Sequence, residues 1–126
     1  MNGGNGERFV LDTNTIILFL DGKIGALPEG ARLVSIITEM ELLAFPNLTR
    51  EGEKNIQNFL ERVMIYPLTA AIKDEAIRLR RFGNPHLKLP DAIIAATAIN
   101  LEAALVTNDA GIHALTWPGL FVAGAA

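Results

Sequence analysis

The chain has 126 residues, half of them hydrophobic, a formal net charge of −3 and no cysteine. That length fits one domain with a substantial core. The missing cysteines exclude disulfides and thiolate metal sites and agree with a cytoplasmic setting. No apolar run approaches the roughly 20 residues of a membrane span, and no basic start leads into an apolar stretch, so neither membrane insertion nor a signal peptide is expected.

Residues 1–7, Met-Asn-Gly-Gly-Asn-Gly-Glu, are polar and glycine-rich and read as a loose tail ahead of a single domain over 8–126. Residues 8–11 read as a strand, followed by a helix over 13–20 with Thr13 as its N-cap and a Gly-containing stop at 21–25. A second strand is expected over 32–36 and a helix over 38–45, ending before Pro46. Apolar residues at 56, 59, 60 and 63 set one face of a helix over 50–63. The run 63–68 suits a short strand. Residues 70–82 form an amphipathic helix with Ile72, Ala76, Leu79 and Phe82 inward, and 91–101 is apolar nearly all round, as a buried helix should be. A strand over 103–107, a short helix over 110–115 and an edge-like strand over 120–122 complete the series.

Strands alternate with helices throughout, which implies an α/β sandwich of three layers: a central parallel sheet of four or five strands with helices on both faces. In such sheets ligands bind beyond the carboxyl ends of the strands. Asp12 follows the first strand and Asp109 follows the strand over 103–107, so both project at that edge. Asp91 starts the most buried helix and Glu41 lies one turn into the helix after the second strand.

Each acid also has a plain structural explanation. Asp91 suits an N-cap, and Asp109 with Asn108 suits an Asx-turn. Asp12 suits a cap shared with Thr13. Glu41 suits a solvated helix face or a capping box with Thr38. Their joint occurrence at one edge favours a shared site. Two carboxylates 4 Å apart repel by roughly 4 kcal/mol at an effective dielectric near 20, and a divalent cation relieves that repulsion. An all-oxygen ligand set suits Mg²⁺ or Mn²⁺ rather than Zn²⁺, and such an ion serves phosphodiester hydrolysis.

Leu-Asp-Thr-Asn at 11–14, Ser-Ile-Ile-Thr-Glu-Met-Glu-Leu-Leu at 35–43, Leu-Pro-Asp-Ala-Ile-Ile-Ala-Ala-Thr-Ala at 89–98 and Leu-Val-Thr-Asn-Asp at 105–109 resemble, in order and spacing, the motifs of PIN domains. The chain is most similar to the VapC-like ribonuclease toxins of bacterial and archaeal toxin–antitoxin pairs, from residue 8 to about 122. The resemblance implies a PIN-like fold and a catalytic, metal-binding quartet of Asp12, Glu41, Asp91 and Asp109, with Glu39 a rival to Glu41. It implies supporting roles for Asn14, Thr107 and Asn108, Mg²⁺ (or Mn²⁺) as cofactor, and RNA as substrate. A cognate antitoxin is the implied protein partner. Exposed Leu and Phe in 18–22 and 42–48 suggest a homodimer surface or an antitoxin groove, with ordinary core the competing reading.

Residues 73–88 hold Lys73, Arg78, Arg80, Arg81 and Lys88 against Asp74 and Glu75, a local +3 that leaves −6 for the remainder. Arg80, Arg81 and Lys88, closest to Asp91, are the candidates for RNA contact; Lys73 and Arg78 read as a solvated helix face. His86 and His113 are expected in surface or capping roles, Ser35 and Thr38 at a strand end and a helix start, and Trp117 as a packed indole in a turn. Other functions fit less well. A receiver-type Mg²⁺-binding signalling domain would need adjacent acids after the first strand and a late lysine, but Thr13 follows Asp12 and no lysine follows Lys88. A haloacid-dehalogenase-like phosphatase would need an acid at position 14, which is Asn. A PIN-fold module that binds RNA or protein without cutting remains the alternative, to be separated by a nuclease assay with and without EDTA.

Overall fold

The computed structural model describes residues 7–125; residues 1–6, and with them nearly all of the expected tail over 1–7, lie outside the described residues. Five strands form one sheet: β1 (Arg8–Leu11), β2 (Ala31–Ser35), β3 (Met64–Tyr66), β4 (Ala104–Val106) and β5 (Val122–Ala123). Their order is β3-β2-β1-β4-β5, and every neighbouring pair is parallel. β1 is central, with Phe9 in register with Arg32 on one side and Ala104 on the other.

Side chains alternate across the sheet as strand geometry requires. Val10, Leu33 and Leu105 face one layer, and Phe9, Leu11, Val34 and Val106 face the other. The first face is covered by α4 (Ala70–Arg78) and α5 (Leu89–Asn100), which contribute Ile72, Ala76 and every residue from Ala92 to Ala96. The second is covered by α1 (Thr13–Leu20), α2 (Ile36–Leu43) and α3 (Arg50–Leu60) through Ile16, Leu42, Ile56 and Leu60. This is the three-layer α/β sandwich the alternation implied. A short helix, α6 (Ala110–His113), follows β4. Among the described residues no helix is long and apolar enough to cross a membrane.

The helix boundaries show which residues do the capping. Asp12, not Thr13, is the N-cap of α1. α2 begins at Ile36 with the Ser35 hydroxyl accepting from the Ile37 N–H at 3.0 Å, so Thr38 lies inside the helix and forms no capping box with Glu41. α5 begins at Leu89 with Lys88 as N-cap, so Asp91 is the third helical residue and not the cap. Pro90 fits in that first turn because its missing N–H has no partner to lose.

α1 ends in a Schellman turn, with Lys23 N–H donating to Leu18 O and Gly22 N–H to Phe19 O. Gly22 takes φ +73°, which glycine adopts without steric cost. α5 closes the same way, through Ala103 to Ala98 and Glu102 to Ile99, but there the left-handed position at φ +53° is Glu102.

The amphipathic helix expected over 70–82 departs from its pattern at the end. After Arg78 the backbone widens into a π-helical turn over Leu79–Gly83, closed by Asn84 N–H donating to Leu79 O at 2.9 Å. The extra residue in that turn rotates the face. Leu79 stays buried, whereas Phe82, expected inward, is 66% exposed and lies under the Arg81 guanidinium.

Candidate active site

β1 and β4 lie side by side, but the chain leaves β1 toward β2 and returns to β4 on the opposite side. Helices from such diverging connections lie on opposite faces, and a crevice opens between them at the carboxyl edge. A cavity of about 500 Å³ occupies this place. Asp12, Glu41, Asp91 and Asp109 all line it, together with Asn14, Lys88 and Asn108. Glu39, the rival to Glu41, does not.

Asp12 is 7% exposed. Its Oδ1 accepts from the Thr15 N–H at 2.7 Å, and its Oδ2 accepts from the Thr107 hydroxyl. Thr107 is itself fully buried behind β4. Its Oγ1 also accepts from the Asp109 N–H at 3.1 Å, so one hydroxyl links the acids at the ends of adjacent strands. Asp109 caps α6 by accepting from the Ile112 N–H at 3.0 Å, and His113 Nε2–H donates to the Thr107 carbonyl at 2.6 Å. For Asp12 and Asp109 the capping role and a place on the cavity wall coincide: capping engages Oδ1 of each.

Glu41 enters from α2, its Oε1 accepting from the Thr13 hydroxyl at 2.6 Å. Asp91 enters from the first turn of α5. Burial, followed by the negative charges of Glu41, Asp109 and Asp12, pushes the Asp91 carboxyl above the ordinary aspartate range, and the Lys88 ammonium acts against them. Asp91 therefore experiences the field of the other three acids.

The donor set on the cavity wall is carboxylate, amide and hydroxyl oxygen, without His or Cys. Hard cations such as Mg²⁺ and Mn²⁺ match it. Among the described residues no three acids or histidines are drawn together at the spacing of a closed ligand shell. Mutual repulsion of the carboxylates opposes that approach, and a cation is what would relieve it.

The structure divides the basic strip. Lys88 lines the acidic cavity. Arg80 and Arg81 line a separate hollow with Ile77, Pro85 and Leu89, and Arg80 Nε donates to Leu87 O at 2.9 Å, bracing the turn that leads into Lys88. Asn14 is exposed on the wall. Asn108 turns its amide to the segment after β5, donating to Ala125 O at 3.3 Å and accepting from Ala125 N–H at 2.9 Å. His86 makes a turn contact, its N–H donating to the Asn84 side chain. Trp117 packs as an indole whose Nε1 donates to Glu75 at 2.7 Å, with Arg78 over its ring. Sequence reasoning missed Thr13 as a partner of Glu41; the two are 28 residues apart and no local spacing signals the contact.

The chain belongs to the PIN domain family, whose model matches residues 9–117. Members of this family are generally nucleases. Among solved structures, a chain of a toxin–antitoxin complex from Klebsiella pneumoniae is 28% identical, with a TM-score of 0.71 over 89% of this chain and 94% of that one. VapBC-1 from nontypeable Haemophilus influenzae is 27% identical, with a TM-score of 0.66 over 82% of this chain and 88% of that one. VapBC2 from Rickettsia felis, in a complex with a DNA fragment from its promoter, is 20% identical and shares the fold, with a TM-score of 0.78 over 94% and 99% of the two chains. A search of curated protein sequences finds no match.

Proposed function

We propose that this chain is a Mg²⁺- or Mn²⁺-dependent endoribonuclease and the toxin of a toxin–antitoxin pair. The observation that carries the reading is the meeting of four carboxylates, from four separate segments, on the wall of one cavity at the sheet's topological switch point. Asp12, Glu41 and Asp91 would hold the cation, and Asp109 would complete the site directly or through water. A bound divalent ion lowers the pKa of water and stabilises a leaving oxygen, the two needs of phosphodiester hydrolysis. The chain's own part is to hold the acids at the edge of the sheet. Lys88, the one cation on the described wall, would meet the substrate phosphate. As the toxin of such a pair, the chain would act on RNA in the cytoplasm of the cell that makes it.

The partner reading draws on the relatives described as toxin–antitoxin complexes. An apolar groove lined by Ile17, Leu20, Leu42, Phe45, Leu48 and Ile56 adjoins the acidic cavity and shares Ile17 and Phe45 with it. A hydrophobic segment of an antitoxin laid in that groove would reach the carboxylates. Phe45 on that groove is exposed, and exposed Ile77 and Leu89 line the hollow with Arg80 and Arg81, a second apolar area available to a homodimer.

The test is cleavage of structured RNAs by the purified chain with Mn²⁺, with EDTA, and beside Asp12→Asn. Cleavage that EDTA abolishes and that falls by more than about a hundredfold in the folded variant is expected. Full cleavage by Asp12→Asn would rule the assignment out, and a chain that binds RNA without cutting it would favour the non-catalytic module.

A further inference from the structure

Thr13 stands between two elements of the candidate site. It is the first residue of α1, directly after Asp12, and its Oγ1 lies 2.6 Å from Glu41 Oε1 and 3.1 Å from Thr38 Oγ1. A hydroxyl has one proton to give and lone pairs to accept with. An ionised carboxylate only accepts, so the Thr13 proton goes to Glu41 and the Thr38 hydroxyl donates to Thr13. Thr38 is completely buried on α2, one turn before Glu41 and on the same helix face. Its position is fixed by packing, and it orients the Thr13 lone pair and hence the Thr13 proton.

We propose that Thr13 is a positioning residue that fixes the Glu41 carboxylate on the cavity wall, engaging Oε1 and leaving Oε2 free for a ligand. Glu41 reaches the cavity on a side chain with three rotatable bonds, which left alone samples many rotamers. The Thr13 contact selects one. It also ties the acid on α2 to the residue next to Asp12, so the spacing of two cavity carboxylates is set by a single hydroxyl. The arrangement parallels Thr107 on the other side of Asp12: one threonine hydroxyl serves each carboxylate.

The inference rests on the reading of the four acids as a divalent-cation site, and the experiment separates the two. Mn²⁺ binding is measured by titration calorimetry on the full chain and on Thr13→Val, Thr13→Ser and Glu41→Gln, with metal-free melting temperatures alongside. Removing an oriented partner of a metal-binding group weakens affinity by about ten- to a hundredfold. Thr13→Val is expected to lose roughly tenfold in Mn²⁺ affinity, and Thr13→Ser, which keeps the hydroxyl, to stay within about twofold of the parent. A merely structural role would lower the melting temperature of Thr13→Val without changing its affinity. Should Thr13→Val not fold, Thr13→Ala replaces it. Unchanged Mn²⁺ affinity in the Thr13 variant, with weakened binding in Glu41→Gln, overturns the positioning role and leaves the cation site standing. Unchanged affinity in Glu41→Gln overturns both.

Discussion

Thr107 and Asp12, 95 residues apart in the chain, are joined by a buried hydrogen bond from hydroxyl to carboxylate across adjacent parallel strands. The same hydroxyl accepts from the Asp109 N–H, so two of the four cavity acids share one anchor. Replacing Thr107 with Val keeps the shape and removes both bonds, leaving a nearly buried carboxylate oxygen without its donor. The expected destabilisation is about 1–3 kcal/mol by urea unfolding, accompanied by loss of cleavage. Thr107→Ser should restore most of both, and a Val variant as stable as the parent would contradict the anchoring role.

Asp91 gives the site a pH signature. Burial and the three neighbouring acids hold its carboxyl above the ordinary value of 3.8. The folded chain therefore binds this proton more tightly than the unfolded chain, and protonation favours folding. The stability contributed by the group is fully present below 3.8, declines as pH rises through the raised folded pKa, and is absent above it. Asp91→Asn is expected to be more stable than the parent at about pH 7, with the advantage vanishing near pH 3. Mg²⁺ should stabilise the parent at neutral pH and have much less effect on the variant. Urea midpoints at the two pH values, with and without Mg²⁺, check this; an advantage that persists in acid would assign the gain to something other than charge.

Lys88 is the member of the basic strip on the acidic wall, whereas Arg80 and Arg81 flank a different hollow. Lys88→Met should therefore reduce the slope of log affinity for single-stranded RNA against log salt by about 0.7, the release of one counterion. Arg81→Met should change it less. Equal slopes for the parent and Lys88→Met would remove Lys88 from the path of the substrate.

Glu102 occupies the left-handed position at the end of α5, at φ +53°, and is exposed. A side chain other than glycine costs about 1–2 kcal/mol in that conformation, and a negative charge at a helix C-terminus adds a smaller penalty. Glu102→Gly is expected to raise stability by roughly 1 kcal/mol and the melting temperature by about 3 °C, with cleavage unchanged. A lower melting temperature would show that Glu102 makes a contact worth more than its strain.

Much of the fold was legible because the signals are local. Phe9, Val10 and Leu11 form an apolar run cut off by an acid, and Ala92–Ala98 are buried without interruption, as a helix without a polar face must be. What remained hidden depended on capping and tertiary contact. Ser35 took the cap expected of Thr38 because β2 ends there and α2 starts at once. Phe82 turned outward because the π-helical turn over Leu79–Gly83 shifts the helical period, although Gly83 and the Asn84-Pro85 pair mark where the helix had to stop. The four acids could be named from motif and topology, and their meeting on one wall is a property of the fold. The threonines that hold Asp12 and Glu41 could not be paired with them from spacing, since those bonds cross between elements far apart in sequence.

The central strand of the sheet is the earliest to be synthesised, yet its second neighbour, β4, arrives about ninety residues later. A nascent or truncated chain carrying β1, β2 and β3 holds Asp12 and Glu41 but lacks the opposite wall. The pocket is thus assembled by the same long-range pairing that completes the domain, and a partly folded form holds only half of the acid set.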